Sequence, residues 1–408
     1  MFAKIGFNHI KKNLVFSILL MIQMTVAFVI LSCMISTVES RFDLYKPFSE
    51  ELNSNGWYYY IDHANNPLTN KPLDTSEELA GLIEGENSIL AMFTLWIDKY
   101  ENHEIEAISY EKQLIQKYTP EIQNGQWFDL SRKDSDIVQV VVSQNDFGFQ
   151  IGDVITLYDF SKTPIKAEVI GILKDNTKII GRQELSNMTL DCRSFYRNYS
   201  YEVEEKPVFI FLQEELNYLD HIYESQGRRV GKQLNGSLIV TYSNDISGEK
   251  IENNNSIIEK MMAINVVPLT DIKENSLDYI FFELYKLLPI YICVFIFSVV
   301  GLISISALAA KQQMKTYAIY YICGLEWKKC AIINCWSSVI CVSISLLVCD
   351  FFIGAMRLFG FWEDTVVNIS PYQMLACLLI GVLYIVISIV IPLKLIGNSS
   401  ANNVLKTN

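Results

Sequence analysis

The sequence is short of the residues that enzymes use. Its 408 positions hold only four histidines, and His103-Glu104 is not followed by a second histidine at the interval a zinc hydrolase needs. Neither Cys-x-x-Cys nor Gly-x-Ser-x-Gly occurs. The nearest approach to a phosphate loop, Gly227-Arg-Arg-Val-Gly-Lys232, has three residues between its glycines instead of four, and no Ser or Thr follows the lysine. The chain is therefore read as a non-enzyme with no bound cofactor or metal of its own. Such a protein works by binding or by moving, and draws energy from a partner.

Charge is missing in four places: Leu14 to Val38, Leu287 to Ala310, Ala331 to Cys349 and Thr365 to Leu393. Each run is long enough to cross a hydrocarbon core of about 30 Å as a helix, which takes about 20 residues. The mean hydropathy of +0.22 points to the lipid bilayer as well. No ionisable group lies inside these runs to form an ion pathway, and Asp350 stands only at an edge. Cysteine is nearly absent from the long polar stretch between the first two runs. Eight of nine cysteines lie in or beside the apolar runs, and Cys192 alone is elsewhere. An internal disulfide is therefore excluded there, which fits an outward-facing bacterial domain stable without staples. No Gly- or Ser-rich linker marks either end of that stretch.

Charge that is present is distributed by side. Lys4, Lys11 and Lys12 precede the first run, while Glu39, Arg41 and Asp43 follow it. The connector from Lys311 to Lys329 carries four lysines against Glu326, and the stretch from Asp350 to Asp364 carries three acids against Arg357. Lys394 and Lys406 lie in the tail. The positive-inside rule then places both termini and the connector in the cytoplasm and the large domain outside. That domain holds 23 bases against 41 acids, a net charge of −18, which argues against nucleic acid as a partner.

The expected segments are a cytoplasmic amphipathic N-terminus over 1–13, a first span over 14–38 and an extracytoplasmic domain with its stalk over 39–286. A second span over 287–310, a cytoplasmic coupling segment over 311–330 and a third span over 331–352 follow. An outer loop over 353–370, a fourth span over 371–393 and a cytoplasmic tail over 394–408 complete the chain. Within the domain, the aromatic run Trp57 to Ile61 reads as a strand. Thr75 to Gly85 reads as a helix capped by Thr75 or Ser76, and Tyr110 to Tyr118 as a helix closed by Pro120. Asp136 to Ser143, Asp153 to Phe160 and Ile165 to Asp175 read as three strands with short connections. Pro207 to Phe211 is a strand, Gln213 to Gln226 a helix, Ser237 to Tyr242 a strand, and Ser247 to Ile264 a polar helix. The fold class is an α-helical membrane protein with four transmembrane helices plus an α+β extracytoplasmic domain on a helical stalk.

The connector sequence KTYAIYYICGLEWKKC, Lys315 to Cys330, places Tyr317, Tyr320, Tyr321 and Gly324 at helical spacing. A short amphipathic helix with tyrosines and a glycine stop suits a partner groove. Tyrosines at a membrane edge also anchor helices in the interface, and both roles are compatible here.

Four places in the chain resemble the FtsX-like, MacB-type permeases of ATP-binding cassette systems. They are the basic entry FNHIKKNLVFSILL, the GQWFDLSRKDSDIVQVVVSQNDFGFQIGDVITLYDF core, the connector and the tail ANNVLKTN. The resemblance implies a permease subunit with a MacB-type core and no fused ATPase. ATP would act through a separate ABC-type ATP-binding subunit that docks on the connector. By this resemblance the coupling residues are Lys315, Tyr317, Ile319, Tyr320, Gly324, Leu325, Glu326 and Trp327. Thr316 stands where the family commonly has an acid, and Tyr320 where it commonly has a base. The implied partners also include the lipid bilayer of a bacterial plasma membrane and a second permease copy or a paralogue. Three functions follow as alternatives: export or extraction of a peptide, lipid or other amphiphile, regulation of a cell-wall hydrolase without transport, and a receptor-like role without an ATPase. The large outer domain favours the first, since cell-division members of the family carry a smaller one.

Overall fold

The computed structural model describes residues 7, 10–11, 14–62, 64–101, 103–132, 135–144, 147–181, 189–199, 206–261, 263–324, 326–358 and 370–397. Most of the expected N-terminal segment 1–13, most of the loop 353–370, Leu325 and the tail from 398 lie outside the described residues.

The helices are α1 (Leu14–Tyr45), α2 (Ser49–Leu52), α3 (Ser76–Ala80), α4 (Lys112–Lys117), α5 (Gln213–Glu224), α6 (Gly248–Glu259), α7 (Leu269–Ile322), α8 (Trp327–Leu358) and α9 (Pro371–Gly397). The strands are β1 (Gly56–Ile61), β2 (Glu86–Leu95), β3 (Lys99–Tyr100), β4 (His103–Glu104), β5 (Glu106–Tyr110), β6 (Ile122–Gly125) and β7 (Ile137–Val142). They continue as β8 (Val154–Tyr158), β9 (Pro164–Leu173), β10 (Thr177–Ile180), β11 (Tyr196–Tyr199), β12 (Val208–Leu212), β13 (Lys232–Tyr242) and β14 (Ala263–Pro268). Two compact units result, Met1–Phe42 with Tyr279–Asn408, and Asp43–Asp278.

The first unit is helical. Stretches of α1, α7, α8 and α9 are each long and apolar enough to cross a membrane. Leu20, Met24 and Phe28 of α1 pack with Leu302 of α7, Val342 and Ile353 of α8, and Tyr384 of α9. Close approach uses small and hydroxyl residues, as helix association in lipid requires. A Cβ on Gly381 would stand 3.1 Å from Val342 Cγ1, and one on Gly301 would stand 2.9 Å from Gln23 Oε1. Ser345 Oγ donates to the Met21 carbonyl at 3.1 Å, tying α8 to α1.

The second unit is built on a ten-stranded sheet of order β14-β1-β13-β2-β5-β12-β7-β9-β6, with β8 paired to β9. It is mixed: β12 runs parallel to β5 and β7 parallel to β9, whereas the other pairs are antiparallel. The β-branched run of β7 is buried from Val138 to Val142, as expected for a strand covered on both faces. Two apolar cores form along the sheet. Val138, Val140, Phe209 and Phe211 pack with Leu216 and Leu219 of α5. Tyr59, Phe93, Leu238 and Val240 pack with Leu79 of α3 and Ile258 of α6.

Several local expectations shift. The helix expected over Thr75–Gly85 is capped by Thr75, whose Oγ1 accepts from Glu78 N at 3.2 Å, but it ends at Ala80. Tyr110 belongs to β5 instead of a helix, because β5 fills the gap between β2 and β12. The polar helix expected to Ile264 stops at Glu259, and Ala263–Pro268 forms β14 against β1.

Candidate functional site

The expected coupling residues fall at the far end of α7. This helix is one element of 54 residues that contains Pro289 and continues past Ala310 to Ile322. Proline removes one backbone donor and favours a local kink, so the α7 ladder is interrupted there without ending. The helix stops at Gly324, which has φ +94. Cys323 N donates to the Ile319 carbonyl and Gly324 N to the Tyr321 carbonyl, each at 3.0 Å. A glycine in the left-handed region just past a helix satisfies the last carbonyls at no steric cost. A Cβ added at Gly324 would meet nothing within 4 Å, so a side chain there costs backbone strain and causes no clash.

Of the eight expected residues, Tyr317 is buried at 1% exposure and points away from solvent. Lys315 and Ile319 are exposed, Tyr320 is partly exposed, and Glu326 is exposed beyond the helix stop. Trp327 opens α8, and Leu325 lies outside the described residues. The solvent-facing stripe is therefore Lys315, Ile319 and Ile322, at i, i+4 and i+7, flanked by exposed Tyr321. Ile322 was not among the expected residues, and its i+7 spacing from Lys315 is the signal that finds it. With Lys311 exposed one turn before Lys315, two cations stand above two bare isoleucines, a surface suited to a groove with an acidic rim and an apolar floor.

A second contact ties α7 to α1. Arg41 Nη1 donates to the Tyr279 carbonyl at 2.5 Å, and its guanidinium carbon lies 4.3 Å from the Tyr279 ring centroid. Its Nη2 stands 3.8 Å from Glu283 Oε1. The planar guanidinium can stack and donate at once, which a lysine cannot. In the sequence Arg41 was legible only as a charge flanking the first apolar run.

The phosphate-loop-like segment of the second unit is closed to phosphate. Val230 N donates to Asp220 Oδ1 at 2.7 Å and Gly231 N to Asp159 Oδ2 at 2.9 Å. Lys232 Nζ donates to Asp220 Oδ2 at 2.5 Å and Asn217 Oδ1 at 2.9 Å, with its side chain fully buried. Carboxylates of the protein thus occupy the donors that a nucleotide would need. Cys192 is buried, and burial together with Asp191 pushes its thiol up to about 12, too high for a nucleophile near neutral pH. Among the described residues no group of three or more metal-ligating side chains converges.

No family model matches the sequence, and no curated protein matches it. Solved structures do. The chain is similar to the extracellular domain of the noncanonic ABC-type transporter YknZ from Gram-positive bacteria, at 14% identity and a TM-score of 0.25, over 52% of this chain and 98% of that one. It is also similar to the periplasmic region of MacB from Actinobacillus actinomycetemcomitans, at 12% identity and a TM-score of 0.27, over 55% of this chain and 94% of that one.

Proposed function

We propose that this chain is the permease subunit of an ABC-type system, driven by a separate ATP-binding subunit in the cytoplasm. ATP-dependent closure of that subunit pushes the Lys315–Ile319–Ile322 stripe, and the movement passes along α7 to the extracytoplasmic α/β unit. The work done is export or extraction of a peptide, lipid or other amphiphile. The observation that carries this reading is α7 itself. Its 54 residues run from Leu269, after β14, to Ile322 in the connector as one element that Pro289 interrupts. Helical segments on either side of Pro289 transmit displacement better than a flexible linker does. The Arg41 contacts let α1 share the displacement of α7. The net positive connector supports a cytoplasmic position for the stripe.

The test is coupling in liposomes that hold the chain and the ATPase that copurifies with it. Lys315→Glu combined with Gly324→Trp should abolish stimulation of ATP hydrolysis by the permease while leaving membrane insertion intact. Stimulation that survives both changes would contradict the assignment.

A further inference from the structure

A cleft of about 810 Å³ opens on the second unit between the segment before α3 and the turn before β13. Its lining includes Lys71, Asp74, Glu78, Trp96, Arg228 and Arg229. We propose that this cleft binds a small zwitterion of the amino-acid type, with its ammonium group on Asp74 and Glu78, its carboxylate on Lys71 and Arg228, and its apolar part against Trp96.

The cleft has a fixed frame. Trp96 N donates to the Gly231 carbonyl at 2.7 Å, and the Trp96 ring lies so close to Gly231 that a Cβ there would stand 2.8 Å from ring carbon Cε3. Val230, Gly231 and Lys232 are held from behind by Asp220 and Asp159. Gln213 Nε2 holds the Asp74 carbonyl at 2.9 Å. A wall locked in this way loses little freedom when a ligand arrives.

The charges on this frame are unevenly committed. Asp74 Oδ2 takes Arg229 Nη1 at 3.3 Å, a long contact to an exposed arginine. Asp74 Oδ1 is buried and has no hydrogen-bond partner. A buried carboxylate oxygen without a donor is costly, and rotation of the carboxyl group would hand it to an incoming ammonium. Glu78 stands beside it; burial and then the Asp74 charge raise the Glu78 carboxyl, while the Asp74 backbone N–H and the Arg229 charge oppose the rise. Lys71 and Arg228 are exposed, and neither forms an ion pair among the described residues. A simple anion would suit Lys71 and Arg228 but face Asp74 and Glu78. A simple cation would meet the reverse. Only a ligand with both charges satisfies both sides, and the half-buried Trp96 lines the cleft as an apolar wall for a substituent.

The experiment is isothermal titration of the full-length chain in lipid nanodiscs with three probes: L-phenylalanine, phenylacetate and 2-phenylethylamine. L-Phenylalanine should bind saturably, and each single-charge analogue should bind at least about tenfold more weakly, the loss expected when a charged hydrogen bond is left unmade. Asp74→Asn and the double change Lys71→Gln with Arg228→Gln should each weaken L-phenylalanine by about tenfold or more. Both rim residues of the double variant are exposed, so it keeps the fold if Asp74→Asn does not. No saturable binding of L-phenylalanine up to about 10 mM, equal binding of all three probes, or unchanged affinity in the double variant would overturn the assignment. The measurement needs no ATPase, so its failure is distinct from a failure of coupling.

Discussion

Glu111 is a buried acid placed where an acid is costly. It sits between β5 and α4 with 9% exposure. Burial raises its carboxyl to about 7, and Glu214 and Glu77 push the same way, while hydrogen bonds from Ser76 and the Ala91 backbone oppose the rise. A carboxyl raised in the folded state keeps a proton that the unfolded chain releases. Stability from this group is therefore fully present below about pH 4.5, the unfolded value, and is lost progressively as the pH rises through about 7. The rise from 4.5 to about 7 corresponds to about 3 kcal/mol once the group is ionised in both states. Glu111→Gln keeps an acceptor for Ser76 and cannot ionise. At pH 8 it should melt roughly 5–10 °C above the parent chain, and at pH 4.5 the two should nearly coincide. Thermal melting of both proteins across pH 4.5–8 in one detergent isolates this group, because every other acid titrates in both. A difference independent of pH would refute the reasoning.

Two other perturbations follow from contacts already described. Lys232→Ala leaves Asp220 buried without its cation and should cost about 3–5 kcal/mol, whereas Lys232→Met with Asp220→Asn, which keeps an acceptor for Val230 N and removes the charge, should recover much of the loss; denaturant melts compare them. Arg41→Lys should weaken coupling between ATP hydrolysis and movement of the α/β unit while leaving insertion and yield unchanged, because lysine cannot both stack on Tyr279 and reach its carbonyl. A spin label on the α/β unit reports that movement.

The large divisions were legible because they rest on composition. Four uncharged runs became four apolar helices, since the lipid core allows little else. The β7–β8–β9 unit was readable from alternation and β-branched content. The end of α7 was harder to place. Lys311 and Lys315 mark a polar connector, but no breaker stands between Ala310 and Gly324, so the helix continues until glycine stops it. Tyr317 was read with its neighbouring tyrosines, and only three-dimensional packing reveals that it is buried. β5 and β14 were missed because each is short and owes its strand form to a partner distant in sequence, β12 and β1. Of the cleft only the Gly227–Lys232 wall drew notice in the sequence, because Asp74 and Arg229 are 155 positions apart and meet only through the sheet.

The most direct test places a photo-crosslinking amino acid at Ile319 and at Ile322 and irradiates intact membranes. Crosslinks from both positions to a polypeptide that carries the ATP-binding cassette motifs, absent when the label is moved to buried Tyr317, are the predicted result. Crosslinks only to lipid or to other spans of this chain, with no cassette ATPase captured from either position, would contradict the coupling role.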